Sequence, residues 1–295
     1  MLFAAAAVLA LGASTAHAAL PAPSEVQASL ASASAYFRAQ PVNAPSAAAQ
    51  DCGWEHGALY SGHTEHMKVA PAAERPALTA WALRWATAHN WTCNSLWTDP
   101  NNIACGMGYA ALYDAAPADY KLALAVTLDR GVEQWTPYSW WWVDTLFMGL
   151  PTMILYGNRT GDARFTEAGL QQYRYTTLGG PNATSQPGLW DPASNLYWRD
   201  HTYIAQRNSD GTKVFWGRGN GWAAGALALA HRALPASDTA NRGELAARLL
   251  AMLTALKPLQ QADGMWRANL LFPTMPGVSN PESTSSGVRG AARAR

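Results

Sequence analysis

The sequence predicts an all-α fold of packed helical hairpins, and three observations carry that prediction. First, an apolar helix end, a Pro/Gly/Asp turn and a fresh helical pattern recur in "MKVAPAAERPALTAWAL", "LYDAAPADYKLALAVTL", "LYGNRTGDARFTEAGL" and "LAHRALPASDTANRGELAARLL". The turn residues Pro71, Pro117 and Gly161 stand about 45 residues apart, a helix–turn–helix period, and Pro235 follows after an insertion. Second, the helices before these turns are rich in small residues ("GALYSG", "CGMGYAALY", "FMGLPTMILY", "GWAAGALALA"), whereas those after them are amphipathic, as over 76–90 and 241–257. Small residues let helices approach closely around a crowded centre, so the first set reads as inner and the second as outer. Third, polar and aromatic inserts lie just before an inner helix or between hairpins. A ring of such hairpins is an α/α toroid, and an open row is a solenoid.

The elements follow in order. Residues 2–12 are apolar and "AHA" at 16–18 is an A-x-A cleavage pattern, so 1–18 reads as a signal peptide and the protein as secreted or periplasmic. The positive n-region is missing, and an Ala-rich amphipathic first helix is the alternative. Residues 19–49 form a lead-in rich in Ala, Ser and Pro, with one helix expected from Pro23 to Gln40. The hairpin domain spans 50–287, and "VRGAARAR" at 288–295 is a divergent tail with no useful apolar face.

With 295 residues, 49% of them hydrophobic, the chain can build one large core. A net charge of +1 with interspersed signs argues against a nucleic-acid partner. No other segment has about 18 uninterrupted apolar residues, so no membrane span is expected. The three cysteines, Cys52, Cys93 and Cys105, match no zinc spacing, and neither a metal nor another cofactor is expected. One disulfide and one thiol would suit an exported protein; Cys93 with Cys105 is one possible pair, which spacing does not decide. Oligomeric state is not legible.

Function is sought in the inserts. The 14 tryptophans exceed what core filling uses, because each indole N–H needs a partner, whereas flat aromatic faces stack on pyranose C–H faces. In "QWTPYSWWWVDTLFMGLPTM" one carboxylate, Asp144, follows Trp140, Trp141 and Trp142. The bland reading is a helix N-cap beside core tryptophans. Segment 195–222 is expected to form a small hairpin turning at "NSDG" (208–211) and to enter a helix at Gly221–Trp222. In "WGRGNGW" the glycines allow close backbone approach and display of Arg218 into a cavity. A toroid would gather inner-helix N-termini at one mouth, where unpaired N–H groups suit an acidic sugar.

"WWWVDTLFMGLP", "VFWGRGNGW", "NNIACGMGYAALYD" and "NPESTSSG", in this arrangement, resemble the unsaturated rhamnogalacturonyl hydrolases of glycoside hydrolase family 105 and the related family 88, over about residues 50–287. The resemblance implies a six-hairpin (α/α)6 barrel. It implies removal of the unsaturated uronic acid that a lyase leaves on pectin (rhamnogalacturonan) oligosaccharides, by hydration of the C4=C5 double bond. An unsaturated acidic oligosaccharide is then the partner. Asp144 matches the family's catalytic acid/base, and the indoles around it would raise its pKa. Arg218 matches the substrate-contacting arginine and would hold the uronate by two prongs. Trp54 and Tyr60 match the first inner helix, Trp216 and Trp222 flank the arginine motif, and Trp140 and Trp141 would line or stack on the sugar. His201 would orient water or have no role.

Two departures qualify this. Asn102, four residues before Gly106, stands where the family commonly has Asp; it can bond a sugar hydroxyl but cannot share a proton with Asp144. After "PESTSSG" the family continues into a further helix and hairpin, so an incomplete barrel with an exposed seam is expected. A non-catalytic carbohydrate-binding relative is therefore the alternative function, and a helical-repeat adaptor would scatter the Trp and Arg residues over separate faces.

Overall fold

Each small-residue segment becomes the first helix of a hairpin because its neighbours pack where side chains would otherwise stand. In the computed structural model, which describes residues 22–40, 53–92, 99–182, 186–284 and 286, the described residues form α1 (Pro23–Ala39), α2 (Trp54–Val69), α3 (Arg75–Ala88), α4 (Gly106–Ala111), α5 (Ala118–Gln134), α6 (Thr145–Thr160), α7 (Ala163–Leu178), α8 (Gly217–Ala233) and α9 (Thr239–Leu256). Helices α2, α4, α6 and α8 pack side by side in that order; α3, α7 and α9 pack on α2, α6 and α8 as hairpin partners, while α5 follows α4 in the chain and packs on α7. The inner α6 is buried continuously from Thr145 to Ile154, whereas the outer α9 buries only Leu245, Met252 and Leu256. The inner–outer alternation expected from composition is thus present. A Cβ on Gly57 would stand 2.4 Å from the Cβ of Ala104, and one on Gly106 would stand 2.5 Å from Thr152 Cγ2.

The turn chemistry is also as expected. Gly161 ends α6 in the left-handed region at φ +73°, and the Asp162 carboxylate then accepts the Arg164 N–H to start α7. Pro117 precedes α5, and Asp238 caps α9 through the Asn241 N–H. Helix α1 matches the expected 23–40 span and packs on α2, but it buries no residue fully.

Between α7 and α8, β1 (Trp190–Asp191) and β2 (Leu196–Tyr197) pair antiparallel. The turn at 208–211 is formed: the Asn208 N–H donates to the Thr212 carbonyl at 2.8 Å and Gly211 takes φ +83°. Helix α8 begins at Gly217, four residues before the expected entry. Asn220 explains part of that motif. It is fully buried, accepts the Tyr197 N–H at 2.8 Å and donates to the carbonyls of Tyr197 and Trp216, which ties β2 to α8.

Cys105 is buried and disulfide-bonded; Cys52 and Cys93 lie outside the described residues. The expected signal peptide and the tail from 288 also lie outside them. Among the described residues no helix is long and apolar enough to cross a membrane.

Candidate active site

Asp144 stands at the N-cap position of α6 yet does not cap it: its φ/ψ of −63° and −28° are helical, and its side chain accepts no bond from the helix start. Thr145 secures that end instead, its hydroxyl donating to the Trp142 carbonyl at 2.6 Å. The Asp144 side chain is half-buried, with Oδ1 sealed from solvent and unpartnered among the described residues. Lost hydration raises its pKa from 3.8 to about 6, against the pull of Arg218, then Arg199, then its own backbone N–H. The bland reading of an N-cap aspartate is excluded by this geometry.

Glycine places the arginine motif beside the acid. A Cβ on Gly219 would meet Val143 Cγ1 at 2.6 Å, so only glycine lets the first turn of α8 lie against the residue preceding Asp144. Arg218, on that same turn, is half-buried and lays its guanidinium over the Trp216 ring at 4.2 Å. Its Nε is buried without a hydrogen-bond partner, and it makes no ion pair among the described residues. It is therefore close enough to influence Asp144 but does not neutralise it.

A second guanidinium joins them. The Val143 N–H donates to the Arg199 carbonyl at 2.9 Å, and Trp142 bridges Asp200, which brings this loop against the start of α6. Arg199 pairs with Asp200, whose side chain is only 2% exposed and also accepts the Thr202 N–H at 2.9 Å. Sequence reasoning passed over both residues inside "LYWRDHTY" and chose His201, whose residue type is the commoner acid–base group. The available signal was the Arg–Asp pair itself.

The other expected residues divide. Trp216 stands at the N-cap position of α8 and lies under the Arg218 guanidinium. Trp54 and Trp222 meet edge to face at 6.2 Å, joining the N-terminal ends of α2 and α8, with Trp222 also packed on Phe147. Trp141 is 48% exposed, packs on Trp142 and shares a shallow crevice with the exposed His201. Asn102 is half-buried in the turn Pro100–Ile103 that precedes α4 and packs on α6. Two expectations are corrected. Tyr60 is 1% exposed and its hydroxyl donates to the Ala82 carbonyl at 2.9 Å, so it is core between α2 and α3. Trp140 is also 1% exposed, wedged against Gly149 and Trp135, so neither ring offers a face to a sugar. Asp144 and Arg218 come together at the start of α6 and α8, whereas Trp141 lines the crevice with His201, whose lining includes neither of them.

Comparison with known proteins bears on the family and the fold. The profile of the family described as Glycosyl Hydrolase Family 88 matches residues 34–289. A protein named unsaturated 3S-rhamnoglycuronyl hydrolase from Formosa agariphila is 31% identical over 140 residues, 45% of this chain and 34% of that protein. An unsaturated rhamnogalacturonyl hydrolase from Bacillus subtilis is 31% identical over 134 residues, again 45% of this chain and 35% of that protein. The matched stretch thus spans about a third of each relative's length. Among solved structures, a glycosyl hydrolase family 88 protein from Bacteroides vulgatus superposes with a TM-score of 0.74 at 23% identity, over 90% of this chain and 76% of that one. A protein described as a polysaccharide lyase superposes equally well, at 0.74 and 23%, over 90% and 75%. Identity this low speaks to fold alone, and the fold is that of the six-hairpin glycosidases.

Proposed function

The chain belongs to glycosyl hydrolase family 88, and on that premise we propose that it removes an unsaturated uronic acid from the end of a lyase-generated pectin (rhamnogalacturonan) oligosaccharide. The observation that carries this is the single carboxyl of Asp144, held protonatable near pH 6 with one oxygen unpartnered, beside an arginine that lacks an ion-pair partner. An enol ether needs one proton donor and no opposed nucleophile. Asp144 protonates C4 of the substrate, and positive charge develops at C5 and the ring oxygen. Water adds to C5 and returns a proton to the Asp144 carboxylate. The resulting hemiketal opens to a C5 ketone and leaves C1 as a hemiacetal, which breaks down to an aldehyde and releases the neighbouring sugar.

The anionic substrate assists its own protonation. Arg218 holds the uronate carboxylate, and that negative charge near Asp144 raises the acid's proton affinity further. Trp216 supports both the guanidinium and, through its remaining ring surface, the sugar. The relatives' names support the substrate class. The disulfide at Cys105 supports an exported site of action.

Incubation with a lyase-generated unsaturated disaccharide, following the double bond's ultraviolet absorbance, tests the reading. Loss of absorbance with release of the neighbouring sugar is expected. Sugar binding without loss would instead identify a non-catalytic binding relative, with Asn102 as the first residue to restore to Asp. A gain of absorbance on the intact polysaccharide would identify a lyase.

A further inference from the structure

The two arginines beside Asp144 are not held alike. Arg218 lies over Trp216 and makes no ion pair among the described residues. Arg199 is paired through Nη1 with Asp200 Oδ2 and stands over the Tyr203 ring at 5.7 Å. Asp200 is the buried member of the pair, with its side chain 2% exposed against 41% for Arg199. It is also fixed independently of Arg199. Its Oδ1 accepts the Thr202 N–H at 2.9 Å and the Thr202 hydroxyl, and its backbone bridges Trp142, two residues before the acid. Capping the turn at 201–203 uses Oδ1 alone, and a neutral Ser or Asn would serve there. The second oxygen and the charge are left to Arg199.

Resting on the hydrolase reading above, we propose that Asp200 is a positioning residue that holds the Arg199 guanidinium and offsets its charge, so that Asp144 keeps the proton it must deliver. A carboxyl beside an opposite charge gives up its proton more easily, and Asp144 meets that pull first from Arg218 and then from Arg199. Arg218 is the one left uncompensated, ready for the substrate carboxylate; a second guanidinium at full strength would act on the acid alone. The other elements at this level supply no substitute for Asp200. The turn Pro100–Ile103 and α4 carry no charged side chain, and α7 arrives with Thr176, whose hydroxyl bonds the Trp140 carbonyl. At the start of α2, His56 lies against Trp85 and Glu55 is exposed. On the loop of Asp200 itself, His201 lines the crevice of Trp141 and Arg207 bonds the carbonyls of Ile204 and Gln206, while Arg267 beyond α9 pairs with Asp263.

Four full-length proteins test it: the unaltered chain, Asp200→Asn, Arg199→Gln and the charge-neutral double variant. The readout is the pH midpoint at which kcat/KM for a lyase-generated unsaturated disaccharide falls. Asp200→Asn leaves Arg199 unopposed and should move that midpoint down by at least about half a pH unit, less than for a close buried pair because Arg199 is partly exposed. Arg199→Gln should move it up. The double variant removes a pair whose charges cancel, so its midpoint should return close to that of the unaltered protein. That return decides the case even where Asp200→Asn alone does not fold. If Asp200 has no hold on the charge of Arg199, the double variant instead matches Arg199→Gln, and the proposal is overturned. Loss of rate at every pH with an unmoved midpoint is a structural effect and overturns it as well. The same order of midpoints is read without substrate from the carboxyl 13C titration of Asp144, assigned by its absence in Asp144→Asn. The expected order in that titration without any double-bond loss would sink the hydrolase reading and keep the role of Asp200, whereas turnover with one shared midpoint would do the reverse.

Discussion

At the start of a helix a carboxylate ordinarily gains from the dipole and gives up its proton easily. Asp144 does the opposite, because burial outweighs the helix end and two arginines together. A general acid poised this way works only while protonated, so kcat/KM is expected to fall as pH rises through about 6, where burial places the Asp144 carboxyl. Asp144→Asn should lower double-bond loss by about 10²–10⁴ while leaving sugar affinity nearly unchanged, because an amide keeps the shape but delivers no proton. Turnover near that of the unaltered protein would remove Asp144 from the role. Arg218→Lys keeps the charge and loses the planar fork, so affinity for the unsaturated uronate should drop on the order of tenfold. Equal affinities in a titration would mean that the fork is unused. These two residues were singled out through the resemblance, which falls on "WWWVDTLFMGLP" and "VFWGRGNGW", and the glycine at 219 is what lets the two motifs meet in space. Tyr60 and Trp140 were not legible as core. An aromatic on or beside an inner helix can face the mouth or the adjacent helix, and a one-dimensional pattern does not give that rotation.

Among the elements, the small-residue helices were legible for a steric reason that the structure makes specific. At Gly57 an added Cβ would meet both the Cβ of Ala104 at 2.4 Å and its backbone carbonyl carbon at 2.8 Å, and backbone cannot swing aside. Gly57→Ala should therefore push α2 away from the turn preceding α4 and destabilise the protein by about 1–3 kcal/mol, as overpacking does. Gly243 offers the control. It lies inside the outer α9 with nothing within 4 Å of an added Cβ, so Gly243→Ala should stabilise by about 0.5–1 kcal/mol through helix propensity alone. Urea unfolding of both variants measures the contrast, and a Gly57→Ala midpoint at or above that of the unaltered protein would refute the close-packing account. The loop between β2 and α8 was the least legible element. Its hairpin turn was readable from "NSDG", but the burial of Asp200 and the placement of Arg199 depend on long-range pairing with Trp142 and Val143, which no local pattern encodes.

Across the whole molecule, order along the chain becomes order in space, since successive inner helices are neighbours; a fold of that kind is the most readable from repeats. Its response to pH is a property of two distant groups with opposite signs. His63 on α2 is 4% exposed, packs at a tilt against Trp81, accepts the Ser34 hydroxyl of α1 at Nδ1 and donates from Nε2 to the Leu78 carbonyl of α3 at 3.0 Å. Burial first, then Arg38 and His66, hold its pKa down at about 4 against 6.5, despite the opposing Leu78 bond. Between those values the unfolded chain binds a proton that the folded one refuses, so His63 makes stability fall on acidification. Asp144 runs the other way: between about 6 and 3.8 the folded chain binds a proton that the unfolded one has released, so stability rises on acidification. The two windows overlap and are of similar width, while Asp162, Asp191, Asp210 and Asp263 have lowered pKa values and act below this range. His66 and His231, both shifted down by burial, tip the balance slightly toward His63. The unaltered protein should therefore melt at nearly constant temperature from about pH 6.5 to 4.5, declining slightly. Asp144→Asn removes one arm and should melt higher at pH 7, by at most about 3 kcal/mol of added stability, then lose that gain steadily as pH falls. His63→Gln, whose amide can still donate to Leu78, removes the other arm and should gain stability on acidification instead. Parallel melting profiles for the three proteins across this range would mean that neither group titrates as its burial requires.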